Sequence, residues 1–281
     1  MGPRGDLPRA PANRRPLLAL GGRRYLRSGA YEHMERRQKD RPSTWYTTVF
    51  REVEYTETED GEYDVFTWCT PVGCAAGRRH HNHFVQFPVQ TVQDVATWVY
   101  VHQDMGFVPN EDWLATRDAA SLARFSVNWS PVQQLLQFDT GIEGLYYLLT
   151  DAPEEMGRLL AVMQERCMDR LRLGLTLFPR AASIYWGENT SASSISPPYY
   201  RRLTLPHIRA YAEEAHRHGA RLVVHMCGLL RPLLTCIAET GMDGIHSATP
   251  PPFGDTPYTL LRAMFGPRFA IIGRLNAQLW V

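Results

Sequence analysis

The chain has 281 residues, 44% hydrophobic and 21% charged, enough for one large domain or two small ones. Its formal net charge of +1 gives no electrostatic reason to expect nucleic acid or an acidic membrane as partner, and no apolar run approaches membrane-spanning length. Five cysteines (Cys69, Cys74, Cys167, Cys227, Cys236) without a regular framework point to reduced thiols in a cytoplasmic protein.

Residues 1–30 are rich in Gly, Pro, Arg and Ala, show no sustained period, and are expected to be a disordered leader. Lys39 is the single lysine, so basic charge is almost all arginine, which reads as coding bias rather than phosphate binding. From 43 to 90 the segments WYTTVF, REVEYTET and EYDVFTW alternate apolar or β-branched residues with polar ones, so they predict strands. Asp60-Gly61 marks a hairpin, because both residues tolerate positive φ. The period then changes: TVQDVATWVYVHQDM (91–105) is helical, with Thr91 as N-cap.

Beyond that point strands and helices alternate. ARFSVNWS (123–130) predicts a strand, and PVQQLLQF and IEGLYYLLT predict helices. The segment 152–174 is a helix opened by Pro and two Glu, with Gly174 near its end. ASIYWGEN (182–189) is a strand, and 196–220 is a helix ending in His216, Arg217, His218 and Gly219, with Pro206 as a kink or second start. RLVVHMCG, LLRPLLTCIAETG, MDGIHSATPPP, DTPYTLLRAMFG and RFAIIGRL continue the alternation. Strands separated by helices give an α/β fold with a parallel sheet. The number of units predicts a TIM-type (β/α)8 barrel over residues 31–281, preceded by the N-terminal β-hairpin extension. A doubly wound sheet is the rival, but no Gly-rich phosphate loop follows these strands. The last strand stops at Leu275, six residues before the end, so the barrel is expected to be truncated at its C-terminus.

Strand residues i and i+2 share a face, so Val223, His225 and Cys227 point one way and Leu222, Val224 and Met226 the other. One face thus ends in imidazole and thiol at a strand's C-terminal tip, where barrel active sites form. Either these are zinc ligands lacking at least a third donor, or a buried thiol beside a hydrogen-bonded histidine. Glu188 and Asn189 end the preceding strand; Glu188 is either helix-capping loop chemistry or a ligand, base or substrate contact. His246 is a further strand-tip candidate for the site, Asp255 an N-cap, and Asp243 a stabilising residue at a strand start. His80, His81 and His83, beside Arg78 and Arg79, read as a solvated basic surface.

TPVG (70–73), PVQTVQD (88–94), GENTSASSISPPYYRRLTLP (187–206), HMCGLL (225–230) and MDGIHSATPPPFGDT (242–256) resemble the uroporphyrinogen decarboxylase-like superfamily. The resemblance covers residues 43–276 in order and implies a TIM-type barrel enzyme. One branch removes carboxylates from a tetrapyrrole without metal. The other contains zinc methyltransferases of one-carbon metabolism, which move a methyl group between a corrinoid, carried by a corrinoid protein, and a thiol or related small-molecule acceptor. That branch's zinc motif is His-x-Cys with a later Cys. His225 and Cys227 match its first two positions, and the later Cys falls beyond Val281 if the chain is a fragment. The resemblance therefore implies zinc on His225 and Cys227, a catalytic or ligand role for Glu188, and substrate contacts from Asn189 and His246. The decarboxylase alternative needs arginines at the barrel mouth, for which Arg24, Arg27 and Arg274 are the candidates. A non-catalytic barrel or inactive fragment is the third reading.

Overall fold

The computed structural model describes residues 45–81, 83–115 and 124–273, and the main chain alone at 18–20 and 23–25. Arg27, Arg274, the expected strand end at Leu275, the side chain of Arg24 and the rest of the leader lie outside the described residues. Within the expected leader, strands β1 (Leu18–Leu20) and β2 (Arg23–Tyr25) pair antiparallel and extend onto β3 (Tyr46–Phe50).

The strand-like text at 43–90 forms antiparallel structure. β4 (Glu54–Asp60), β5 (Tyr63–Thr70), β6 (Gly73–His80) and β7 (His83–Gln86) make one four-stranded sheet. Its first hairpin turns at Gly61-Glu62, one residue later than the Asp60-Gly61 pair suggests: Asp60 pairs with Tyr63, and Gly61 has φ +63°. Cys69 and Cys74, opposite each other on β5 and β6, are disulfide-bonded. The expectation of reduced thiols is therefore corrected for these two, while Cys167, Cys227 and Cys236 are free. Helix α1 (Val92–Asp104) packs on this sheet through Trp98, whose ring meets Trp68 edge-on at 4.9 Å. Thr91 is its N-cap, and Asp94 completes the capping box. β8 (Gly106–Pro109) pairs with β3, and the short helix α2 (Glu111–Ala115) follows.

The parallel half begins with β9 (Arg124–Trp129). Helix α3 (Pro131–Gln134), a π-helical turn (Leu135–Asp139), α4 (Gly141–Asp151) and α5 (Pro153–Leu177) come next. Helix α5 runs three residues past Gly174. That glycine is a packing position rather than a stop: an added Cβ would lie 2.4 Å from the Phe125 ring. β10 (Ser183–Gly187) leads to the short helix α6 (Pro197–Tyr199), a π-helical stretch (Tyr200–Thr204) and α7 (Leu205–Arg217), so Pro206 marks a second start. β11 (Arg221–His225), helix α8 (Leu234–Ala238), β12 (Gly244–His246), α9 (Tyr258–Phe265) and β13 (Ala270–Ile272) complete the order.

The five parallel strands lie in the order β13-β12-β11-β10-β9. The α/β architecture and parallel sheet are as expected, but among the described residues the sheet is open with five strands, not closed with eight. The strand-like segments between 43 and 115 pair antiparallel in the other two sheets. Phe125, Val127, Ile184, Trp186, Leu222, Val224 and Ile245 cover the helical face and are all buried. Each such side chain contributes about 1.5–3 kcal/mol by leaving water. The other face carries Tyr185, Val223, His225 and His246, with both histidines half-buried.

Candidate functional site

Parallel register aligns Gly187, His225, His246 and Ile272 across the C-terminal edge of the sheet, with Trp129 beside Gly187. Gly187 is required there, since a Cβ would sit 2.7 Å from the Trp129 ring. The alignment brings two imidazoles together: His225 Nδ1 is 2.8 Å from His246 Nδ1. Tyr185 Oη and Ser247 Oγ each lie 3.1 Å from the same His246 nitrogen. Two imidazole nitrogens this close require one Nδ1–H and one lone pair, and His225 can be the donor. This tautomer leaves the His225 Nε2 lone pair free. Burial, then the neighbouring His246, holds His225 below the usual histidine range; burial, then the charge of Arg124, does so for His246. The Arg124 guanidinium lies over the Tyr185 ring at 5.4 Å.

β11 ends at His225, so Cys227 stands in the loop just beyond. Gly228 follows at φ +83°, which lets the chain turn beside Ser191. The Cys227 thiol donates to Asn189 Oδ1 at 2.8 Å, and the Cys227 amide donates to the same oxygen at 3.1 Å. Asn189 is itself pinned, its N–H donating to Gln133 Oε1 at 3.1 Å. The predicted residues His225, His246, Cys227 and Asn189 therefore gather at one edge.

Glu188 does not join them on that face. It is fully buried on the helical side, as alternation along β10 requires. Thr190 Oγ1 donates to its Oε1 at 2.7 Å, Oε2 has no partner among the described residues, and burial raises its pKa to about 7. Its main chain still serves the edge, the Glu188 N–H donating to His225 O at 3.0 Å.

Asp255 does not cap the helix that follows it; it accepts from the Leu230 and Arg231 amides at 2.7 and 3.0 Å. Asp243 ties the opposite end of the sheet, accepting from Leu222 N, Arg221 and His216. His80 lies 3.5 Å from exposed Glu62, and His81 and His83 are solvent-facing. Tyr185 and Ser247 were not singled out from sequence. The signal for Tyr185 was its place two residues before Gly187 on the site face. Ser247 gave none, because its exposure to His246 depends on a positive φ of 63°.

Imidazole and thiol suit zinc, and a ligating histidine characteristically donates its second ring N–H to a neighbour, a role that His246 is placed to accept from His225. The set is nevertheless partial: among the described residues no group of three His, Cys, Asp or Glu side chains is placed to hold a metal ion. No described helix is long and apolar enough to cross a membrane.

A family model described as uroporphyrinogen decarboxylase (URO-D) matches residues 131–279, which include β10, β11, β12 and every residue of this edge except Trp129. Among solved structures, a methyltransferase from Methanosarcina mazei is similar with a TM-score of 0.48 and 12% identity, over 68% of this chain and 55% of that one. The chain thus spans about half the length of that protein. No curated protein matches.

Proposed function

The chain belongs to the uroporphyrinogen decarboxylase family, and from that premise we propose that it is a methyl-transferring enzyme of this fold. It passes a methyl group between a corrinoid on a partner protein and a small thiol or related acceptor. The five parallel strands are then the described arc of a barrel whose mouth is the edge carrying His225 and Cys227. One observation carries the reading: β11 ends in an imidazole whose Nδ1 faces His246 Nδ1 at 2.8 Å, and two residues on, at the same edge, a thiol is held by Asn189.

His225 through Nε2 and Cys227 through Sγ would hold zinc, the remaining donors coming from outside the described residues. What zinc supplies there, when bound, is a positive charge that stabilises a substrate thiolate near neutral pH. The chain's own residues do the rest. His246, Tyr185 and Ser247 fix the ring of His225 and its tautomer. Asn189, pinned by Gln133, sets the position of Cys227. Glu188 is a positioning residue: its amide braces the His225 carbonyl, and its buried carboxyl holds the following loop through Thr190.

Tetrapyrrole decarboxylation is the second reading, favoured by Arg124, whose guanidinium faces Tyr185 and His246 and suits a substrate carboxylate. Elemental analysis of the purified, reduced protein separates the two. Methyl transfer predicts about one zinc per chain, lost in both His225→Ala and Cys227→Ala. A folded parent protein without zinc that releases carbon dioxide from uroporphyrinogen overturns it in favour of decarboxylation.

A further inference from the structure

A second cleft, open to solvent, lies between α1, α5, β3, β8 and the end of β9, where Trp129 belongs both to its lining and to the edge. None of His225, Cys227, His246 or Asn189 lines it. Its floor holds a buried cation. Arg170 of α5 is 9% exposed, its guanidinium meets the Cys167 sulfur at 3.8 Å and the Tyr46 hydroxyl, and its Nε has no hydrogen-bond partner among the described residues. Its guanidinium lies over the rings of Phe107 at 5.4 Å and Tyr46 at 5.6 Å. Among the described residues no carboxylate pairs with it. The next turn of α5 offers Arg166, already matched by Asp169 at 3.0 Å, with its Nε likewise without a partner.

Facing both is His102 of α1, 5% exposed, with neither ring nitrogen hydrogen-bonded. It stays neutral, its pKa lowered to about 3 by burial and then by the charges of Arg166 and Arg170. Guanidinium groups out of water without counter-charge are strongly unfavourable, and buried polar atoms normally find partners. Three basic side chains in one cleft, with nitrogens orphaned among the described residues, point to a partner that those residues do not supply. The rest of the lining limits what it is. Met105, Phe107 and Met163 form apolar walls, and Asn128, Ser130 and Gln134 add neutral polar groups. Since Arg166 is already paired, the unmatched charge amounts to one cation.

We propose that this cleft binds a small organic acid, its carboxylate on Arg170 and His102 and its apolar body against Met105, Met163 and Phe107. The assignment is independent of the chemistry at the sheet edge. Calorimetric titration of the full chain with sodium benzoate, acetate and inorganic phosphate tests it, with His102 ring signals followed by NMR. Benzoate is expected to bind one per chain, more tightly than acetate or phosphate, and to shift the His102 signals. Arg170→Met removes the fork while keeping the bulk, and weakens benzoate by about tenfold or more. Arg170→Lys falls between the two, and Arg209→Met, on the surface, leaves binding unchanged. Absence of benzoate binding, tighter phosphate than benzoate, or undiminished binding in folded Arg170→Met overturns the proposal.

Discussion

The two histidines at the strand tips cannot both carry hydrogen at Nδ1 across a 2.8 Å contact, and burial holds each of them below the usual histidine range. At this scale the most consequential side chain is Asn189, because one oxygen serves two donors of Cys227. Asn189→Ala leaves the Cys227 amide without that acceptor and frees the thiol. We expect a loss of about 1–3 kcal/mol in urea unfolding. In a Cys167→Ala, Cys236→Ala background we also expect faster alkylation of Cys227, since the thiol is no longer held. An unchanged midpoint together with unchanged labelling would show that the loop holds Cys227 without Asn189. His225, Cys227, Asn189 and His246 were legible because period-two alternation places them at the tips of neighbouring strands. The partnership of the two histidines was not, since it depends on the pairing of β11 with β12, strands separated in sequence by a helix.

Single elements were read well where their chemistry is local. Thr91 with Asp94 makes a capping box within four residues, and Gly61 supplies the positive φ of its hairpin. Reading failed where a distant partner decides. Gly174 resembles a helix stop but accommodates Phe125 from another element, and Asp255 resembles a cap but serves Leu230 and Arg231. Cys69 and Cys74 belong with these failures: five residues apart, they become neighbours only through the β5–β6 register. Closing so short a loop stabilises by roughly 2 kcal/mol in the chain-entropy view. Reduction with dithiothreitol should therefore lower the urea midpoint of the native chain, and leave Cys69→Ser/Cys74→Ser unaffected at the lower value. Equal midpoints in all three states would mean that the ladder of β5 and β6 alone fixes the hairpin.

For the whole molecule, the alternation of strands and helices from 123 onward gave the order of the parallel sheet, while closure was beyond it, because pairing between remote strands leaves no periodic trace. Stability against pH is likewise a property of the whole. Burial raises two carboxyls, Glu188 and Asp139, from 4.5 and 3.8 to about 7. It lowers two histidines, His102 and His207, from 6.5 to about 3 and about 4. Between roughly pH 4.5 and 6.5 the unfolded chain has released the two carboxyl protons that the folded one keeps, so these groups lose stability as pH rises. Over the same window the unfolded chain binds two histidine protons that the folded one refuses, so the histidines gain stability as pH rises. The opposing slopes cancel for these four groups and give a plateau. Glu188→Gln breaks the balance without changing shape, because the amide oxygen still accepts from Thr190. The stability of Glu188→Gln relative to the native chain should then climb by roughly 3 kcal/mol from pH 4.5 to 7.5, since a rise from 4.5 to about 7 is worth about 1.4 kcal/mol per pH unit. Urea unfolding of both chains across that range measures the difference directly. A constant difference would mean that Glu188 ionises as freely in the folded chain as in water, and that its burial behind β10 is relieved by solvent.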